Sequence, residues 1–259
     1  MSVALTSQDA AALLSKLGMT EEEAKELEEN GITLEEYASM MGADLAAEAQ
    51  ETTMQYPRYS VVHAVQLWQN EATGETTQTI TGVPVHFGTI RAFFVKGIDR
   101  PVCSSTAGKT GKYIDIESGE VLNRECATCP LNQWPQGGGA KPCKEMRRIF
   151  LQEPEKDLPV VVSLPPTSIK TWDAYVSAAA YQGAPVLQRV VELTLEKKVS
   201  GEQMWSVLAK PKTVRRLSPM EYIKVRKIKE EIEEAARKAE VEAVDYFQEE
   251  NPAALSEDQ

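Results

Sequence analysis

Residues 86–95 read His-Phe-Gly-Thr-Ile-Arg-Ala-Phe-Phe-Val. In an extended chain successive side chains point to opposite faces, so Arg91, Phe93 and Val95 share one side and Ala92, Phe94 and Lys96 the other. A period of two built on aromatic and β-branched residues predicts a strand. The same habit extends both ways along the chain. Candidate strands are residues 60–69, 75–81, 86–95, 112–116, 159–164, 186–196 and 203–210, with turn signals at Thr73-Gly74, Gly97, Ser118-Gly119 and Ser200-Gly201. One helix interrupts them. It follows Pro165-Pro166, takes Thr167 or Ser168 as its cap, repeats Ile169, Trp172, Tyr175, Val176 and Ala179 at helical spacing, and stops at Gly183. These elements predict an α+β fold whose core, residues 57–216, is a mainly antiparallel β-barrel of the OB type. Another α+β sheet is the competing arrangement of the same pieces.

Both flanks read as helical. Residues 1–50 form a small helical module: Thr6 or Ser7 caps a first helix, Thr20 with Glu23 and Thr33 with Glu36 form capping boxes, and Gly31 separates the last two. Ser218-Pro219-Met220-Glu221 opens a long helix over residues 218–247, with Ile228, Ile232, Ala235 and Ala239 as a narrow apolar stripe. Its basic residues come early and its acidic ones late, against the helix dipole. Residues 248–259 carry Glu249, Glu250, Glu257 and Asp258 among small polar residues and read as a disordered acidic tail.

Between strands lies an insertion, residues 103–143, bounded by cysteines. The chain has four: Cys103, Cys126, Cys129 and Cys143, spaced C-x22-C-x2-C-x13-C. The two-residue gap lets Cys126 and Cys129 turn toward one ion, and the outer pair can complete a tetrahedron. Four thiolates leave no open position for water, so structural Zn2+ is the expected cofactor. Pro130 follows the pair at once, and Gly137-Gly138-Gly139 lets the chain fold back before Cys143. Free buried thiols, two disulfides and a redox pair are the competing readings. A loop this poor in apolar residues needs the ion for its own fold.

The net charge of −11 is unevenly placed. Residues 1–56 carry 2 basic and 12 acidic side chains, residues 57–216 carry 20 and 15, and residues 217–259 carry 6 and 12. A basic centre between acidic arms suits a polyanion partner for the centre and another role for the ends. Around the cysteines stand Lys109, Lys112, Tyr113, Arg124, Trp134, Lys141, Lys144, Arg147 and Arg148, and the sheet adds Arg91, Phe93, Lys210 and Lys212. Cations for phosphates beside rings for bases are what single-strand binding requires.

No apolar run approaches the roughly 20 residues that cross a bilayer, so no membrane partner is expected. His63 and His86 sit in apolar strand patterns with no nucleophile beside them, and residues 103–110 lack the first glycine of a phosphate loop. The expectation is a protein that is not an enzyme and has no small-molecule substrate.

The stretch Cys126-Ala-Thr-Cys129-Pro-Leu-Asn-Gln-Trp134, the glycine run, Lys141-Pro-Cys143-Lys144-Glu-Met-Arg147-Arg148 and Leu164-Pro-Pro-Thr-Ser-Ile-Lys170 resemble zinc-containing proteins of tailed bacteriophages and prophages. That family is generally taken to comprise single-stranded DNA-binding or replication and recombination accessory proteins. The resemblance spans residues 59–212. It implies an OB fold, zinc on the four cysteines, single-stranded DNA as partner, an acidic tail that recruits replication or recombination proteins, and a place in the cytoplasm of a bacterial host. The competing reading is a zinc-stabilised interaction factor that binds a host nucleic-acid enzyme, its acidic arms mimicking nucleic acid. A nuclease with an unrecognised carboxylate set is the third.

Overall fold

The computed structural model describes residues 14, 17–51, 56–98, 100–153, 156, 158–201, 203–238 and 241. The chain divides into two units, residues 1–55 and 56–259. In the first, α1 (Glu21–Glu29) begins at Thr20, whose Oγ1 accepts from the Glu23 backbone N–H while Glu23 Oε2 accepts from Thr20 N at 2.7 Å. Thr33 and Glu36 repeat the device at the start of α2 (Leu34–Glu51). In each box the backbone N–H of the threonine holds the glutamate carboxyl below its ordinary range. The helix expected from Thr6 or Ser7 lies mostly outside the described residues.

The second unit holds one mixed sheet of 12 strands with a helix on each face. Its strands are β1 (Arg58–Val62), β2 (Leu67–Asn70), β3 (Thr76–Thr77), β4 (Thr79–Phe93), β5 (Cys103–Ser105), β6 (Thr110–Ile114), β7 (Val121–Glu125), β8 (Lys144–Gln152), β9 (Val160–Leu164), β10 (Arg189–Ser200), β11 (Gln203–Leu208) and β12 (Lys212–Arg216). The helices are α3 (Pro166–Tyr181) and α4 (Pro219–Lys238). The path runs β3-β2-β1-β9-β8-β4-β5-β6-β7, and β10 joins it through β4, carrying β11 and β12. The sheet is therefore open, and β1 runs parallel to β9, where an antiparallel barrel was expected.

β4 organises the unit. Its first residues, Thr79 to Gly82, pair with β10; Val83 to Ala92 pair with β8; and Arg91 to Phe93 also pair with β5. At the change of partner the backbones come so close that a Cβ on Gly82 would meet the Gln152 carbonyl oxygen at 2.9 Å, so only glycine fits. Past a bulge between Pro84 and His86 the alternation resumes. Phe87, Thr89, Arg91 and Phe93 then share a face, on which Phe87 meets Trp172 of α3. Ile90 and Ala92 are buried on the other side with Met146.

α3 closes one face with Trp172, Tyr175 and Ala179 over Trp68, Ile149, Val162, Leu164 and Leu193. Ser168 does not cap it. Pro165 stands at the cap position, and Ser168, 1% exposed, instead accepts from Leu208 N at 2.9 Å, so a tertiary bond has taken the side chain that local pattern assigned to the cap. α4 covers the other face with Val225, Ile232 and Ala236 against Val83, Val85 and Phe150. Its box forms as expected: Glu221 N–H donates to Ser218 Oγ, and Ser218 N–H donates to Glu221 at 2.7 Å. The Arg215 guanidinium, with those Ser218 bonds, holds the Glu221 carboxyl down to about 2. Of the expected continuation to residue 247 only residue 241 is described, without helical structure, and the acidic tail lies outside the described residues. Among the described residues no helix is long and apolar enough to cross a membrane.

Candidate metal centre

Three strand ends and one tight turn bring the cysteines together. Cys103 opens β5, paired with Phe93 on one side and Tyr113 on the other. Cys126 follows β7 and donates its N–H to Lys109 O at 2.7 Å, which ties it to the start of β6. Cys129 precedes the 3-10 turn Pro130–Asn132, and its carbonyl accepts from Asn132 N at 3.0 Å. Cys143 donates to Leu131 O at 2.8 Å just before β8. The Cys126–Cys129 loop is braced from inside: Asn132 Nδ2 donates to Cys126 O at 2.7 Å.

All four thiols are buried and unbridged. With Phe93, Arg124, Leu131 and Asn132 they line one cavity of about 10 Å³, the size of a single small occupant. Burial first, then the neighbouring Cys129 and Cys126, push the Cys103 thiol up, against the pull of Arg124. Cys143 is pushed up to about 12 by burial and by Cys103, against Arg91. These shifts favour the protonated form of Cys103 and Cys143, and a dication beside them would reverse that balance by favouring the thiolates. The donor set is that of zinc. Among the described residues no three His, Cys, Asp or Glu side chains yet form a ready ligand set, so the sulfurs border the cavity without converging in it.

Two guanidiniums face this site. Arg124 lies 3.6 Å above the Tyr113 ring and lines the cavity. Arg91 is held between Glu145 and Asn132, within reach of Cys143. Both cations, expected at phosphates, have partners within the module, Arg124 on the Tyr113 ring and Arg91 on Asn132 and Glu145, and each lowers the cost of charge on a neighbouring sulfur. Sequence reasoning missed Asn132 and Glu145. The only available signal for Asn132 was its position three residues after Cys129 in a proline-started turn.

The other expected contacts divide. Lys109, just before β6, and Lys112 on it are exposed, with Tyr113 half-buried beside them. Trp134 is 70% exposed, and Lys141 Nζ lies 5.4 Å from its ring centroid. Lys144 is half-buried where β8 begins. Arg147, by contrast, is committed to Thr89 Oγ1 at 2.7 Å and to both oxygens of Asp173 at 3.0 Å. Arg148 is 3% exposed and does not reach solvent. Lys210 lines a separate cavity, and Lys212 pairs with Glu192 at 3.1 Å. His63 is structural: its Nδ1 accepts from Ser206 N at 3.0 Å and its carbonyl from Ser206 Oγ at 3.1 Å.

Gly111 makes the local fit demanding. A Cβ there would lie 2.9 Å from Cys103 Sγ and 3.8 Å from Cys126 Sγ. Gly111→Ala is therefore expected to displace the Cys103 sulfur and, if the four cysteines hold the expected zinc, to weaken it at least about tenfold, since a shifted ligand forfeits tetrahedral geometry. Competition with a chromophoric chelator measures this, and unchanged affinity would show that the sulfurs bind elsewhere. No family model, curated protein or solved structure matches the chain.

Proposed function

We propose that the protein binds single-stranded DNA through the face that carries the cysteine module, with zinc on Cys103, Cys126, Cys129 and Cys143 as a structural ion. The observation that carries the reading is Trp134, an indole 70% exposed with Lys141 over its ring. A large ring left in water beside a cation is costly for a core and suited to stacking on a base. Lys109, just before β6, and Lys112 on it add exposed charge to the same module, while Asp115, Glu117 and Glu120 lie at the tip of the β6–β7 hairpin and Glu125 at its base. Zinc would hold the platform rigid, and Arg91 and Arg124 would balance its thiolates.

The open sheet can still serve this reading by curving around one buried ring. β2, β1, β9, β8, β4 and β10 surround Trp68, whose Nε1 donates to Leu193 O at 3.3 Å, so a side chain joins the two ends where no ladder does. The setting would be phage replication, recombination or repair in the host cytoplasm, with no catalytic step.

Titration of fluorescent oligo-dT by polarisation tests it. Each lysine that meets a phosphate adds roughly −0.7 to the slope of log affinity against log salt. Trp134→Ala is expected to cost about 5- to 150-fold, the equivalent of roughly 1–3 kcal/mol for one lost stacking contact. Salt-independent binding, or a Trp134→Ala variant that binds as tightly as the parent, would sink the reading.

A further inference from the structure

A second cavity, of about 430 Å³, opens between the C-terminal end of α3 and strands β10 and β12. It shares no residue with the cysteine cavity. Arg189, Arg216 and Lys210 line it together with Tyr175, Gln182 and Thr213, and among the described residues no carboxylate does.

The charges there are unbalanced. Arg189 is 5% exposed, yet its hydrogen bonds go to neutral acceptors: Thr213 Oγ1 at 3.3 Å, Gln182 Oε1 at 3.0 Å and Ala184 O at 3.3 Å. Its Nε has no partner. A buried guanidinium normally brings a counter-charge with it, because burial without one is costly. Arg216 stands directly opposite Arg189 across the β10–β12 ladder, an arrangement of like charges that destabilises a sheet unless something negative lies between them. Neighbouring Arg215 differs: it has its carboxylate, Glu221, at 2.8 Å.

We infer that this cavity binds a phosphate monoester carried on a small organic body, of which a nucleoside monophosphate is the simplest example. Three cations lining one cavity match a doubly charged group better than a single carboxylate, and guanidinium forks match phosphate oxygens. The remaining wall, Ala178, Ala179, Pro211 and the Tyr175 ring, is apolar, and the volume falls within the range of small-molecule sites. The phosphate has two possible sources, a free nucleotide or the 5′ end of a strand.

Calorimetry with dTMP, and polarisation with oligo-dT with and without a 5′ phosphate, separate them. Arg216→Gln is the main variant because Arg216 is exposed and its loss leaves the core intact; Arg215→Gln is the control for net charge. The expected result is dTMP binding by the parent that falls at least tenfold in Arg216→Gln and is retained in Arg215→Gln. A 5′-phosphate advantage lost in Arg216→Gln identifies the strand end, and dTMP binding without that advantage identifies the free nucleotide. If the parent responds to neither phosphate, or both variants lose binding equally, the inference is overturned. Binding of unphosphorylated oligo-dT tests the Trp134 face separately and is expected to be the same in Arg216→Gln and Arg215→Gln.

Discussion

Replacing Cys129 with serine is expected to release the zinc proposed for the four cysteines and to open residues 103–143 to protease, while the sheet behind them stays folded. The size of the effect follows from what that segment lacks. From residue 103 to residue 143 the only buried apolar side chains are the four cysteines themselves. The segment otherwise rests on short two-stranded pairings and on bonds such as Asn132 to Cys126 O, which are modest once water is the alternative. Ordering some forty residues costs far more than that. Binding free energies of roughly 10–16 kcal/mol in small zinc motifs are of the size required. Elemental analysis should find one zinc per chain in the parent and none in Cys129→Ser, and limited proteolysis should cut the variant within 103–143. A variant that keeps stoichiometric metal and resists protease would show that packing alone holds the module.

Much of this centre could be read before any coordinates. The cysteine spacing puts four thiols near one another, and all four line one cavity, because the two-residue gap and the proline-started turn are local. The strands that position it were harder. β8, which lies between β4 and β9 at the middle of the sheet, is not among the strands expected: Lys144, Arg147 and Arg148 read as cations for phosphates. Asp173 on α3 lies 26 residues beyond Arg147, and nothing in the local pattern could announce that this partner allows the guanidinium to sit beside the core. β1 and β2 read as one strand because their turn contains no glycine. Gln66 takes the left-handed conformation there, φ 54°, where Asn or Gly would have been the usual sign. The parallel pairing of β1 with β9 joins segments about a hundred residues apart, which periodicity cannot express. The α3 helix, with its Trp172 and Tyr175 face, was legible because a 3.6-residue apolar repeat survives any tertiary context.

Trp172→Ala is the second large effect expected, and it should fall on a different part of the molecule. The indole is 0% exposed, meets Phe87 edge-on with ring centroids 5.5 Å apart, and belongs to the cluster that joins α3 to Trp68, Ile149, Leu164 and Leu193. Truncating a buried tryptophan to alanine costs about 3–5 kcal/mol through lost transfer energy and the cavity left behind. That is roughly a fifth or more of the stability of a typical domain. Trp172 Nε1 is buried without a hydrogen-bond partner, so the indole carries a penalty of its own. Trp172→Phe keeps a ring against Phe87 and removes that orphan donor, so it should cost less than half as much as alanine. Denaturant midpoints at saturating zinc compare the two, and zinc stoichiometry should stay at one in both, because the cysteine cavity shares no residue with this cluster. A loss below about 1 kcal/mol in Trp172→Ala, far short of the cost of a buried indole, would mean that α3 does not close the sheet as described. Loss of zinc in the same variant would mean that the metal module depends on that core for its fold.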